Sequence, residues 1–273
     1  MKVFTRELFL HSRLFYNLLL LFPAVLAIVL NKLYSLESLF LFIALVLVYL
    51  SITLVNAHYD GDDDNLLFLP EKTSVLPSFL KSGVYLFIAS SIISLIIKPE
   101  FFLLVLSFFV VGFFYSWPIV RWKARPIIGW LLVVIGYGVI GYFALIPFES
   151  WFLLENFFAA IFCASFFASF FVLSQIHQID SDAKNGDKTM AVLLGFNGSK
   201  AFASFSLLPS FFAVILLTTL LGKYLALIWG IVSVFYALIF LLKIENNSSL
   251  KKTLETQFTI AGFGFIVWLG LLL

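Results

Sequence analysis

The chain has 273 residues, 62% of them hydrophobic and only 12% charged, with 35 phenylalanines and a net charge of +2. That composition excludes a soluble globular enzyme, and so weak a positive charge gives no reason to expect nucleic acid as a partner. The lone cysteine, Cys163, allows no intramolecular disulfide and reads as a small packing residue.

Crossing a hydrocarbon core of about 30 Å takes about 20 apolar residues in a helix. Nine stretches approach that length, in chain order Leu14–Leu30, Leu39–Asn56, Leu76–Ile97, Phe101–Tyr115, Ile127–Pro147, Trp151–Gln175, Ala201–Leu221, Tyr224–Leu242 and Phe258–Leu273. The first follows Lys2, Arg6 and Arg13, but no small-residue cleavage pattern comes after it, so it reads as a retained span. Pro23 and Pro118 mark expected kinks or helix ends.

Charge sets the expected orientation. With the N-terminus inside, the inner loops hold Lys2, Arg6, Arg13, Lys72, Lys81, Arg121, Lys123, Arg125, Lys184, Lys188, Lys200, Lys243, Lys251 and Lys252, which is 14 of the 17 basic residues. The outer loops hold only Lys32, Lys98 and Lys223. This bias predicts a cytoplasmic N-terminus and a C-terminus outside, in a protein expected in a prokaryotic cytoplasmic membrane.

All seven aspartates fall in two short stretches, Asp60 to Asp64 and Asp180 to Asp187. Carboxylates are costly near hydrocarbon, so such clusters point to function. Both follow even-numbered spans, so both face the cytoplasm and can meet. Asn56, Asp60 and Asp64 step by four, advancing about 40° per step on a helix and forming one stripe. Gln178 and Asp182 repeat the step, whereas Asp180 is rotated about 200° from Gln178 unless the backbone unwinds. Oxygen ligands in such stripes suit Mg²⁺, which takes one or two carboxylates and completes its octahedron with water and phosphate oxygens. Arg121, Lys123 and Arg125 after the fourth span suit the remaining phosphate charge.

Other readings are weaker. Asp60, Asp62, Asp64 and Glu71 occupy four ligand positions of a calcium loop, but Asn65 stands where that loop needs glycine and Pro70 follows. A divalent-cation transporter needs polar residues along the middle of several spans, and these spans have almost none. His58 and His177 flank the acidic stretches, and His11 reads as an interfacial residue.

Three motifs in order resemble those of the UbiA superfamily of intramembrane prenyltransferases. Asn56-x-x-x-Asp60-x-x-x-Asp64 matches its first acidic motif, at the end of the second span. Tyr115-Ser116-x-Pro118-x-x-Arg121-x-Lys123 is similar to its middle motif. Gln178-x-x-x-Asp182-x-x-x-Gly186-x-x-Thr189, followed by Leu194-Gly195, resembles the second acidic motif, with Gln178 in place of its first aspartate. The family's arginine after the first motif is missing, with Lys72 nearby as a stand-in.

The resemblance implies an all-α integral membrane protein, one domain over residues 1–273, with nine transmembrane helices in a bundle and a cytoplasmic cap from the loops after helices 2 and 6. It implies a Mg²⁺-dependent enzyme of isoprenoid or quinone biosynthesis. Its substrates would be a prenyl diphosphate and a lipophilic acceptor, most simply an aromatic quinone precursor, alternatively a non-aromatic lipid or carotenoid. Asp60, Asp64 and Asp182 would hold metal and act in catalysis, with Tyr115 near the reacting carbon. Asn56, Arg121, Lys123, Gln178 and Lys72 would bind substrate.

Overall fold

The computed structural model describes residues 2–60, 66–69 and 76–273. Asp64 and Lys72, with Asp62 and Asp63, lie outside the described residues. The described chain is helical, and nine of its helices are long and apolar enough to cross a membrane: Arg6–Leu30, Leu36–Asp60, Ser78–Ile97, Pro99–Ser116, Pro126–Phe143, Leu154–Lys184, Met190–Leu220, Tyr224–Lys243 and Leu250–Leu272. The chain is that of an integral membrane protein. It separates into two compact units, Met1–Leu21 with Tyr34–Lys123, and Phe22–Leu33 with Ala124–Leu273.

In the first unit the second span packs against both the third and the fourth. Without a hydrophobic driving force between helices in lipid, small residues let backbones approach and polar side chains bond across. Ser51 donates its hydroxyl to Gly83 O at 2.7 Å, and Ser90 donates to Ala44 O at 2.6 Å. A Cβ on Gly112 would lie 2.7 Å from Ile52 Cγ1, so glycine is what allows the fourth span its distance from the second. Ile52, Asn56 and Asp60 share one stripe of the second helix, so this contact also sets the height of the acidic motif. The first span breaks at Arg13, in the left-handed region with φ 44°. Arg13 Nε donates to Leu67 O at 3.0 Å, tying the short segment 66–69 to the first span.

His11 differs from its expected place. It is buried, with its ring 4.9 Å from that of Phe79. Helix Lys2–His11 continues the first span beyond its apolar stretch, so a residue assigned to the interface is packed inside protein.

In the second unit the sixth span is the central helix, carrying Phe166, Phe167 and Phe170 against Phe22 and Phe258. Gly138 in the fifth span approaches it closely, where a Cβ would sit 3.0 Å from Ala164 Cα. Cys163 is fully buried beside that contact, as a packing residue should be. Asn31 and Asn156 exchange side-chain amide hydrogen bonds at 2.9 Å, and Tyr142 donates to Asn156 Oδ1 at 2.6 Å. The seventh and ninth helices begin at Met190 and Leu250, well before their apolar stretches. Hydropathy marks only the part compatible with hydrocarbon, and each helix extends past it under a capped or polar first turn.

Candidate active site

In the first unit the second helix runs through Asp60 without a break, so Asn56 and Asp60 lie one turn apart on one face. The fourth helix ends at Ser116 because Pro118 cannot continue it. The chain then turns: the Val120 and Arg121 amides both bond back to Trp117 O, and Arg121 takes φ 41°. A short 3₁₀ turn, Trp122–Ala124, follows. This turn delivers Lys123, whose Nζ donates to Asp60 Oδ1 in an ion pair about 15% exposed on each side. Asn56 Oδ1 is buried with no hydrogen-bond partner among the described residues. Ser116 Oγ is in the same condition, at the end of the fourth helix. Tyr115, in the last turn of the fourth helix, and Arg121, in the turn that follows, are both half-buried. An aromatic patch of Tyr59, Phe113, Phe114, Trp117 and Trp122 surrounds it. His58 packs edge-on against Tyr59, with ring centroids 5.1 Å apart.

In the second unit the sixth span changes form at the second motif. Its α-helix ends at Gln175, a 3₁₀ turn covers Ile176–Gln178, and a short helix runs Ile179–Lys184. Gly186, at φ 79°, closes that helix. The Asp187 amide bonds to Asp182 O at 2.9 Å and the Gly186 amide to Ala183 O at 3.2 Å, the paired bonds of a Schellman cap. Only glycine reaches this backbone without strain, which explains the motif's glycine. The chain then presents Thr189, which donates its hydroxyl to Asp182 Oδ2 at 3.1 Å and accepts a long bond from the Val192 amide at 3.4 Å. Thr189 thus caps the seventh helix and orients the Asp182 carboxylate together. Asp182 and Gln178 are half-buried, while Asp180 is exposed. Asp187 is buried, a feature its place in a run of polar residues gave no sign of.

Within each unit the donors are oxygen atoms, which suit a hard divalent ion: the Asn56 amide oxygen and the Asp60 carboxylate in the first, and the Asp182 carboxylate in the second. No group of three or more His, Cys, Asp or Glu side chains converges as a metal site among the described residues. Mg²⁺ does not need one, since it takes one or two carboxylates and fills the rest with water and phosphate oxygens.

A family model described as the UbiA prenyltransferase family matches residues 20–266. The chain belongs to the UbiA prenyltransferase family. A comparison with curated proteins finds no match. Among solved structures, the chain is similar to a UbiA homologue from Archaeoglobus fulgidus bound to GPP and Mg²⁺, at 18% identity and TM-score 0.66 over 97% of this chain and 99% of that one. It is also similar to a digeranylgeranylglyceryl phosphate synthase, at 17% identity and TM-score 0.65 over 98% and 99% of the two chains. An apo UbiA homologue from Aeropyrum pernix K1 matches at 17% identity and TM-score 0.59, over 92% and 96%. At these identities the structural likeness establishes a shared fold, and the family match carries the assignment as a prenyltransferase.

Proposed function

We propose that this UbiA-family enzyme transfers a polyprenyl group from a prenyl diphosphate to a lipophilic acceptor within the membrane, with Mg²⁺ held by Asp60, Asp64 and Asp182. The observation that carries the reading is the Asp60–Lys123 ion pair beside the unpartnered Asn56 oxygen. A carboxylate, a cation and a vacant oxygen ligand are the parts that a metal diphosphate requires. The A. fulgidus homologue bound to DMAPP and Mg²⁺ supports the same choice of ligands.

Bound Mg²⁺ would supply charge stabilisation for the departing diphosphate. The protein's own residues do the rest. Lys123 orients Asp60 and adds a second cation for phosphate oxygens, joined by Arg121 on the same turn. Gln178 contributes an amide in place of a carboxylate, which lowers the negative charge of the second motif by one. Thr189 fixes the Asp182 carboxylate in one orientation. The bond between the allylic carbon and the diphosphate oxygen breaks with its electrons leaving on the diphosphate. The acceptor then forms the new bond to carbon and loses a proton. Tyr115 offers an aromatic face to the allylic cation, and the surrounding aromatic patch keeps water away from it. Lys72 is assigned to the diphosphate as a further cation.

The acceptor proposed first is an aromatic quinone precursor, such as a dihydroxynaphthoate or hydroxybenzoate. The likeness to a digeranylgeranylglyceryl phosphate synthase favours a second reading, a glycerol-lipid acceptor. The site is assigned to the cytoplasmic face from the distribution of basic residues. The test is incubation of purified protein with Mg²⁺, geranylgeranyl diphosphate and both acceptor classes, with products read by mass spectrometry. A prenylated product that disappears with EDTA and in Asp60→Asn supports the reading. Mg²⁺ flux through proteoliposomes without any prenyl substrate would overturn it.

A further inference from the structure

Gln175 is the last residue of the α-helical part of the sixth span, three residues before Gln178 and seven before Asp182. It is over nine-tenths buried, and Oε1 has no hydrogen-bond partner among the described residues. A buried amide oxygen without a partner has given up its hydration for nothing, so such a group is either a liability or a ligand-binding element. Ser199, on the seventh span packed against the sixth, shows the same condition: it is fully buried, with Oγ unpartnered among the described residues. Two serines of the seventh span bond back one turn, Ser204 to Lys200 O and Ser206 to Phe202 O, whereas Ser210, farther along the span, is buried and unpartnered among the described residues like Ser199. Ser199 has no such outlet, because the residue four before it is Gly195, where the helix breaks with φ 67° and ψ 178°. Two unsatisfied neutral groups therefore lie at the motif ends of two neighbouring spans in the second unit.

We infer that Gln175, with Ser199 as its companion, is an acceptor-binding residue that recognises a hydroxyl group on the prenyl acceptor. This rests on the prenyl-transfer reading above. An amide offers one acceptor oxygen and a donor nitrogen, and a serine hydroxyl can do either, so together they complement a neutral group that both donates and accepts. A carboxylate or phosphate is the wrong partner here. A neutral amide oxygen accepts a hydrogen bond and carries no positive charge, so an anion would gain nothing from it. A site built on hydrogen bonds to a hydroxyl also discriminates strongly against an analogue lacking it, since its buried groups are then left unpaired. Gln175 cannot take a proton, so its role is to hold the hydroxylated acceptor in place.

The experiment measures steady-state transfer from geranylgeranyl diphosphate in wild type, Gln175→Leu, Gln175→Glu and Ser199→Ala. The acceptor used is whichever of dihydroxynaphthoate, hydroxybenzoate or geranylgeranylglyceryl phosphate the wild type prenylates. Thermal stability of each variant is recorded in parallel. Gln175→Leu is expected to raise the KM for the acceptor at least tenfold, with the KM for geranylgeranyl diphosphate and the Mg²⁺ dependence unchanged. Ser199→Ala should raise the same KM by a smaller factor. A Gln175→Leu protein that melts higher with an unchanged acceptor KM would show a packing defect or a buried water only, and would overturn the assignment. A Gln175→Glu protein that reaches half-activity at lower Mg²⁺ would overturn it in favour of a metal ligand. Absence of any transfer in the wild type would instead defeat the proposed function, a result distinct from either of these.

Discussion

Removing Lys123 should separate two properties that a simple loss-of-function change would lower together. In Lys123→Met the Asp60 carboxylate loses its bound cation. At a separation of 4 Å and an effective dielectric of 20, two unit charges attract by about 4 kcal/mol. Both partners are about 15% exposed, so desolvation and screening offset much of this. A net coupling of about 1–2 kcal/mol remains, equivalent to roughly 5–30-fold in a binding constant. Lys123 competes with a divalent ion for Asp60, so without it the protein alone should bind that ion tighter by about this factor. The phosphate oxygens lose a cation at the same time, so kcat should fall by about 10²–10³. Mn²⁺ titration followed by electron paramagnetic resonance reads the first effect, and saturated prenyl transfer reads the second. Weaker Mn²⁺ binding in Lys123→Met, at unchanged melting temperature, would refute the reasoning, because Lys123 would then be supporting the metal site rather than competing for it.

Other consequences follow from the same geometry. Gly112→Leu should destabilise the protein by about 1–3 kcal/mol in thermal unfolding, because its side chain would meet Ile52 where a Cβ alone already comes within 2.7 Å. Thr189→Val should lower both stability, by about 1–2 kcal/mol, and transfer activity, since one hydroxyl serves the helix cap and Asp182. Asn156→Leu should destabilise by about 2–4 kcal/mol while leaving the KM for prenyl diphosphate unchanged, because it strands Asn31 and Tyr142 in a buried network without touching either acidic motif. Chelation of Mg²⁺ by EDTA should abolish transfer, and added Mg²⁺ should restore it.

Much of the architecture was legible because lipid imposes a simple rule: about 20 apolar residues make one span. The nine stretches found this way correspond to nine helices among the described residues. Helix ends were less legible. Thr189 starts the seventh helix well before its apolar stretch, and the Gly195 break inside it is a backbone property that hydropathy does not report. The step of four from Asn56 to Asp60 was readable because the second helix continues unbroken to Asp60. The same step from Gln178 to Asp182 crosses the change from 3₁₀ to α-helix, so regular helical spacing was only a partial guide there. Asp180, which spacing turned away from Gln178, is exposed. The Asp60–Lys123 pair joins residues 63 apart in sequence, and the Thr189–Asp182 bond depends on the turn at Gly186. No local pattern announces either contact. The oxygens of Asn56, Ser116, Gln175 and Ser199, unpartnered among the described residues, are equally silent in sequence, because they are defined by what their surroundings lack.

The most direct test of the central claim is Mg²⁺-dependent binding of radiolabelled geranylgeranyl diphosphate to wild type, Asp60→Asn and Asp182→Asn in detergent. Wild type should show saturable binding that EDTA removes, weakened at least tenfold by each substitution. Binding by Asp182→Asn that matches wild type in both affinity and Mg²⁺ dependence would contradict it, and would leave the second motif without a part in holding the diphosphate.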